Sequence, residues 1–165
     1  WCWPVGLAQV VLFIYIFHQA RLYSDMGLHV VYVVLQIYGW HNWVYGGEGR
    51  SELAVSRVSR KEMAGWIVAG ALFTSGLGYF TGNWLGADVP YLDAATTVLS
   101  LIAQYLMTRK KLESWLFWIA VDALCVGIYP YKGLYLTTAL YWMFLYLAAN
   151  GYWEWRKDYL KKQPA

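Results

Sequence analysis

One carboxylate sits where a lipid bilayer is expected. Asp122 lies within Trp115–Tyr129, a run whose other ionisable groups are the Cys125 thiol and the terminal Tyr129 phenol. Burying an ionised carboxylate at bilayer depth costs at least ~2.5–3.5 kcal/mol on insertion scales. Such a residue usually faces a protein interior or a water-filled path. Helical periodicity places Trp115, Trp118, Cys125 and Tyr129 on the same face, at i−7, i−4, i+3 and i+7. Indole rings beside an anion can seat a flat organic cation, combining stacking with charge pairing. The plainer alternative is an Asp that hydrogen-bonds a neighbouring helix.

Further polar groups could line the same path. Asp93, Thr97, Ser100 and Gln104 recur at helical spacing and form a narrow stripe. Ser and Thr often bond their own backbone or knit helices together, whereas the larger Gln104 amide wants several partners. Asn150 shares a face with Trp142, Met143, Tyr146 and Trp153, and its amide can donate and accept toward hydroxyls or a carboxamide. The alternative for Asn150 is a helix-ending role before Gly151. Gln9 and Gln36 either face the cavity or pack as amides between helices.

These residues need a membrane scaffold to position them. Of 165 residues 59% are apolar and 14% charged, against roughly 25% charged in soluble domains. Eleven Trp and fifteen Tyr suit interfacial belts and aromatic sites. Six apolar spans are expected: Trp3–Gln19, Gly27–Trp43, Ala64–Tyr79, Tyr91–Met107, Trp115–Tyr129 and Leu134–Trp155. The whole chain, 1–165, reads as one transmembrane domain. It divides into a first repeat over 1–43, a loop over 44–62, a linker helix over 63–82, a second repeat over 90–156 and a tail over 157–165. Gly46-Gly47-Glu48-Gly49 opens the longest loop, and Pro90 enters the fourth helix.

Basic residues sort by side. With alternating spans, one face carries Arg50, Arg57, Arg60, Lys61, Arg109, Lys110, Lys111, Arg156, Lys157, Lys161 and Lys162, and the other only Arg21 and Lys132. That asymmetry makes the long loop and the C-terminus cytoplasmic. It also accounts for the net charge of +3 without invoking nucleic acid.

The first two spans align without gaps to the last two. Trp3, Leu22, Tyr23, Leu28, Leu35, Gly39 and Trp43 fall on Trp115, Leu134, Tyr135, Leu140, Leu147, Gly151 and Trp155. Both pairs cross in the same direction, which makes a parallel repeat of the SWEET type. The second pair has a helix in front of it, so symmetry asks for one upstream of Trp1. Trp1-Cys2-Trp3-Pro4 reads as the entrance to a helix already in mid-protein, and the sequence is expected to be an N-terminally truncated piece. The repeat-equivalents of Asp122 and Asn150 are Val10 and Tyr38, so the site should lie off axis, toward the second repeat.

Catalysis finds little support. The sequence contains no H-E-x-x-H, G-x-S-x-G or G-x-x-x-x-G-K. Cys2 and Cys125 suggest neither a disulfide framework nor a metal pair. His18, His29 and His41 read as solvated or interfacial. No catalytic residue, metal or cofactor is expected.

The chain resembles the PnuC-type nicotinamide riboside transporter family. The resemblance runs from Trp3 to about Trp155. It rests on Trp3-Pro4-Val5-Gly6-Leu7, Leu22-Tyr23-Ser24-Asp25-Met26-Gly27-Leu28, Tyr38-Gly39-Trp40-His41-Asn42-Trp43, residues 100–110, Glu113-Ser114-Trp115-Leu116-Phe117-Trp118 and Lys132-Gly133-Leu134-Tyr135. It implies a bacterial inner-membrane facilitator with helices in a three-one-three order, assembled as a homotrimer. The family's W-x-x-x-N motif maps to Trp118-Ile119-Ala120-Val121-Asp122, with Asp where Asn is typical. An ionised Asp keeps the acceptors and loses the amide donors. The expected activity is uptake of nicotinamide riboside, an NAD precursor, trapped by intracellular phosphorylation. Another vitamin such as thiamine is the closest rival cargo. An intramembrane enzyme and an accessory membrane subunit are the alternatives from other classes. The expected binding residues are Trp118, Asp122, Asn150, Tyr146, Trp153, Gln104, Trp115, Gln9 and Gln36.

Overall fold

A computed structural model describes residues 2–19, 21, 23–86, 89–131 and 133–161. Six α-helices follow in order: α1 (Cys2–Gln19), α2 (Tyr23–Tyr45), α3 (Arg60–Trp84), α4 (Pro90–Thr108), α5 (Ser114–Ile128) and α6 (Tyr135–Lys161). A 3₁₀ turn, Glu48–Arg50, interrupts the long loop. Each expected apolar span becomes one helix, but the ends differ. Helix α3 begins four residues before Ala64 and ends five after Tyr79, and α6 runs six beyond Trp155. Hydropathy stops at charge, whereas a helix stops where its backbone loses partners. At the start of α3 the Ser59 hydroxyl accepts from the Glu62 N–H at 3.1 Å, so Arg60, Lys61 and Glu62 form a capped first turn. Pro90 opens α4, where its missing N–H costs nothing.

The described residues fall into two compact units, one of residues 1–54 and 108–110, the other of residues 55–107 and 111–165. In the first, α1 packs along α2. Trp3 is buried over Gly39 and meets Trp43 edge-on, with ring centroids 5.0 Å apart. The His29 imidazole packs against Phe13, Phe17 and Tyr32, so it belongs to an aromatic cluster, whereas His18 and His41 are exposed. Asn42 Nδ2 donates to the Thr108 carbonyl at 2.9 Å, and Lys110 Nζ lies 4.9 Å from the Trp43 ring centroid.

The second unit has its core at Val98, Ile102, Ala103 and Leu106 of α4 with Phe117 of α5, flanked by Trp66, Leu77, Tyr105 and Trp118. Gly78 of α3 lies against the Tyr91 ring, so the two helices approach closely there. The turn after α5 closes through Gly133, whose φ of 70° is open to glycine at little cost, and Leu134 N–H bonds the Tyr129 carbonyl at 3.0 Å. Helix α5 packs along α6. Large apolar side chains such as Leu72, Phe73 and Leu136 face outward on the helices, which suits lipid contact. By length and apolar composition α1 and α3 can each cross a membrane unaided, while α5, equally apolar, is shorter.

Below the helices of the second unit, the loop is clasped to the α4–α5 turn. Buried Glu113 accepts from Arg57 Nε at 2.9 Å and from the Val58 N–H at 2.8 Å. The Leu112 N–H bonds the Ser56 carbonyl, and Lys111 Nζ reaches the Arg57 carbonyl. Through that hydrogen bond, and then through charge, Glu113 holds the Arg57 guanidinium above its ordinary pKa.

Candidate functional site

Helix α5 turns Phe117, Val121, Asp122, Cys125 and Ile128 inward. Among them Asp122 is 4% exposed, and no described residue gives its carboxylate a hydrogen bond or an ion pair. A carboxylate without a protein donor keeps its acceptor sites for a ligand's hydroxyl or cation. Trp118, one turn earlier on the same face, rests half-buried against the α4 core. One turn later on the same face stands the buried Cys125 thiol, and Tyr129 follows a turn after it. The Tyr129 and Tyr141 rings sit 5.2 Å apart, and Phe144 meets Tyr141 edge-on. An acceptor between an indole and a phenol cluster can take a flat cation or a hydroxylated ring.

Gln104 is half-buried on α4 and makes no hydrogen bond with a described residue, so its amide is open to a ligand. Its stripe-mates differ. The Thr97 and Ser100 hydroxyls donate to the Asp93 and Thr97 carbonyls, each at 2.9 Å, within their own helix. Tyr146, Asn150 and Trp153 share one face of α6, and that face is exposed. Arg156 covers Trp153, 5.3 Å from its centroid. Trp115 packs its ring over Gly151 and meets Trp155 edge-on at 5.4 Å, with its Nε1 buried and unbonded. It is a helix-to-helix contact. In the first unit Gln9 is exposed on α1, and the Gln36 amide fills the notch at Gly6.

The sequence reading did not single out Tyr141. Its signal was present: Ala148, seven residues on, is small and buried, and marks the face α6 turns inward. A largely apolar cleft of about 590 Å³ runs between α3 and α4, lined by Trp66, Phe73, Thr97 and Tyr105 among others, and Asp122 does not line it. No group of three His, Cys, Asp or Glu side chains among the described residues is placed to hold a metal.

Comparison with known proteins adds independent findings. A family model described as the nicotinamide mononucleotide transporter matches residues 1–157. The nicotinamide riboside transporter PnuC of Escherichia coli (strain K12) is 27% identical over 175 residues, covering 91% of this chain and 73% of its own. The PnuC of Neisseria mucosa is 29% identical, covering 92% and 62%. The riboflavin/roseoflavin transporter RibM of Streptomyces davaonensis is 24% identical, covering 94% and 74%. A crystal structure of the vitamin B3 transporter PnuC superposes with a TM-score of 0.71 at 26% identity, over 98% of this chain and 73% of that one. The six-helix order and the match over residues 1–157 agree: the chain belongs to the nicotinamide mononucleotide transporter family, whose members are multi-pass inner-membrane proteins.

Proposed function

We propose that the protein carries nicotinamide riboside across the bacterial inner membrane by facilitated diffusion, with net uptake driven by intracellular phosphorylation of the cargo. The observation that carries the reading is Asp122, buried on a membrane helix with no partner and one turn from Trp118. The pyridinium of the riboside supplies both missing elements, a positive charge and a face to stack. The names borne by the Escherichia coli and Neisseria relatives support the same cargo.

In this reading Trp118 stacks on the ring, and Asp122 pairs with its charge or accepts from a ribose hydroxyl. The Gln104 amide bonds a polar group. Asn150, Tyr146 and Trp153 meet cargo as it enters or leaves along the exposed face of α6, and Gln9 and Gln36 contribute from the first repeat. The fold is read as a SWEET-like parallel repeat with a linker helix, supported by the Trp–Gly–Trp packing that recurs 112 residues apart. The C-terminus is cytoplasmic, the assembly a homotrimer, and no cofactor or catalytic group is required.

The Asp in place of the motif's Asn, together with the likeness to RibM, favours one second reading: another vitamin as cargo. Thiamine, a flat cation, suits an anionic site better than neutral riboflavin. Calorimetric titration of the full-length protein with riboside, thiamine and riboflavin separates the three. Saturable riboside binding without turnover is expected, as is equilibration of labelled riboside into liposomes without any ion gradient. A strict sodium or proton requirement would sink the uncoupled mechanism.

A further inference from the structure

Two helix pairs, each within its own unit, are locked in the same way. Trp3 lies over Gly39 and edge-on to Trp43, at 5.0 Å and 86°. Trp115 lies over Gly151 and edge-on to Trp155, at 5.4 Å and 81°. The indole Nε1 is buried and unbonded in both Trp3 and Trp115. An unsatisfied buried donor is costly, so its recurrence at equivalent positions says that these rings are kept for shape. A Cβ on Gly151 would fall 2.5 Å from Trp115 Cη2, and one on Gly39 would strike Trp3 harder still. Each glycine is therefore a notch cut for one ring.

The notch in the second unit bears on the site. Trp115 stands two turns before Asp122 on the same face of α5, and Gly151 follows Asn150. Where the ring seats sets the rotation of α5 against α6. That rotation turns Asp122 and Cys125 inward, each 4% exposed. Beside α1, the equivalent of Asp122 is Val10, with no charge to aim.

We propose that Trp115 and Gly151 are positioning residues that aim Asp122, and that the matching clamp of Trp3 and Gly39 holds its own helix pair without setting the rotation of α5. This rests on the reading of Asp122 as the cargo-binding carboxylate, so the test carries one readout that needs no cargo. In the protein with every cysteine but Cys125 replaced by serine, the rate of N-ethylmaleimide labelling at Cys125 reports the rotation of α5. Gly151→Ala should speed labelling by about tenfold or more, because burial of the thiol limits reaction to open states. It should weaken riboside binding by a similar factor at an unchanged oligomeric state. Adding Trp115→Phe, which shortens the ring that meets the new methyl, should restore both. Gly39→Ala should leave Cys125 labelling unchanged.

If Gly151→Ala fails to fold, Trp115→Ala opens the same contact from the other side and should speed labelling likewise. Unchanged labelling in either folded variant overturns the proposal, as does equally faster Cys125 labelling from Gly39→Ala. Absence of riboside binding in the parent protein sinks the transport reading alone, because the labelling comparison still decides the clamp.

Discussion

Asp122 and an asparagine have nearly the same shape, so exchanging them isolates the charge. Asp122→Asn should fold normally, restore the family motif and keep riboside binding, weakened by about 1–3 kcal/mol as the charged partner is lost. Asp122→Leu removes both acceptors and should cost more affinity, while detergent melting stays near the parent value. A carboxylate that merely bridged helices would reverse the pattern, with Leu causing misassembly. Unchanged affinity in well-folded Asp122→Leu would remove the residue from the site. The cost of Asp122 at bilayer depth and its shared helical face with Trp118 were both legible in the sequence. Trp115 was expected on the same face as a binding residue, but its seat against Gly151 was not legible, since that notch exists only once the two helices lie side by side. The spacing of Tyr146, Asn150 and Trp153 was equally legible, but periodicity shows a shared face and not what covers it.

At the scale of elements, every helix was announced by an apolar run, and the errors lay at polar ends. The first turn of α3 carries Arg60, Lys61 and Glu62, which a hydropathy reading assigns to the loop, yet Ser59 caps it. Ser59→Ala should destabilise α3 by about 1 kcal/mol, read as increased protease cutting near residue 60. The clasp at Glu113 had no sequence signal, because its partners Arg57 and Val58 lie more than fifty residues away. Glu113→Ala orphans the Val58 N–H and releases Arg57, so about 1–3 kcal/mol of local stability should be lost. Glu113→Gln keeps an acceptor for Val58 and should lose less. Equal proteolysis of the loop over 46–59 in all three proteins would show the clasp to be inert.

For the molecule as a whole, the bias of Lys and Arg predicts which side each loop faces. A single cysteine placed at exposed Ser51, with Cys2 and Cys125 both replaced by serine, should react with an impermeant maleimide only in inverted vesicles. Labelling from the periplasmic side would overturn the orientation. The paired Gly and Trp in register were legible, and their matched packing gives that pattern a physical cause. Separation into two compact units was not legible, because it depends on which long-range contacts form and both units are equally apolar.

The unpartnered carboxylate also has a use in screening. A carboxylate that receives no donor from its own chain favours the folded state further when a bound molecule supplies one. Ligand at a hundred times its dissociation constant adds about 2.7 kcal/mol to the folded state. Melting curves recorded across a panel of vitamins and nucleosides would therefore rank cargoes without label, transport assay or prior guess. The same panel on Asp122→Asn should narrow the gap between cationic compounds and their neutral analogues, so the identity of the cargo becomes readable from heat alone.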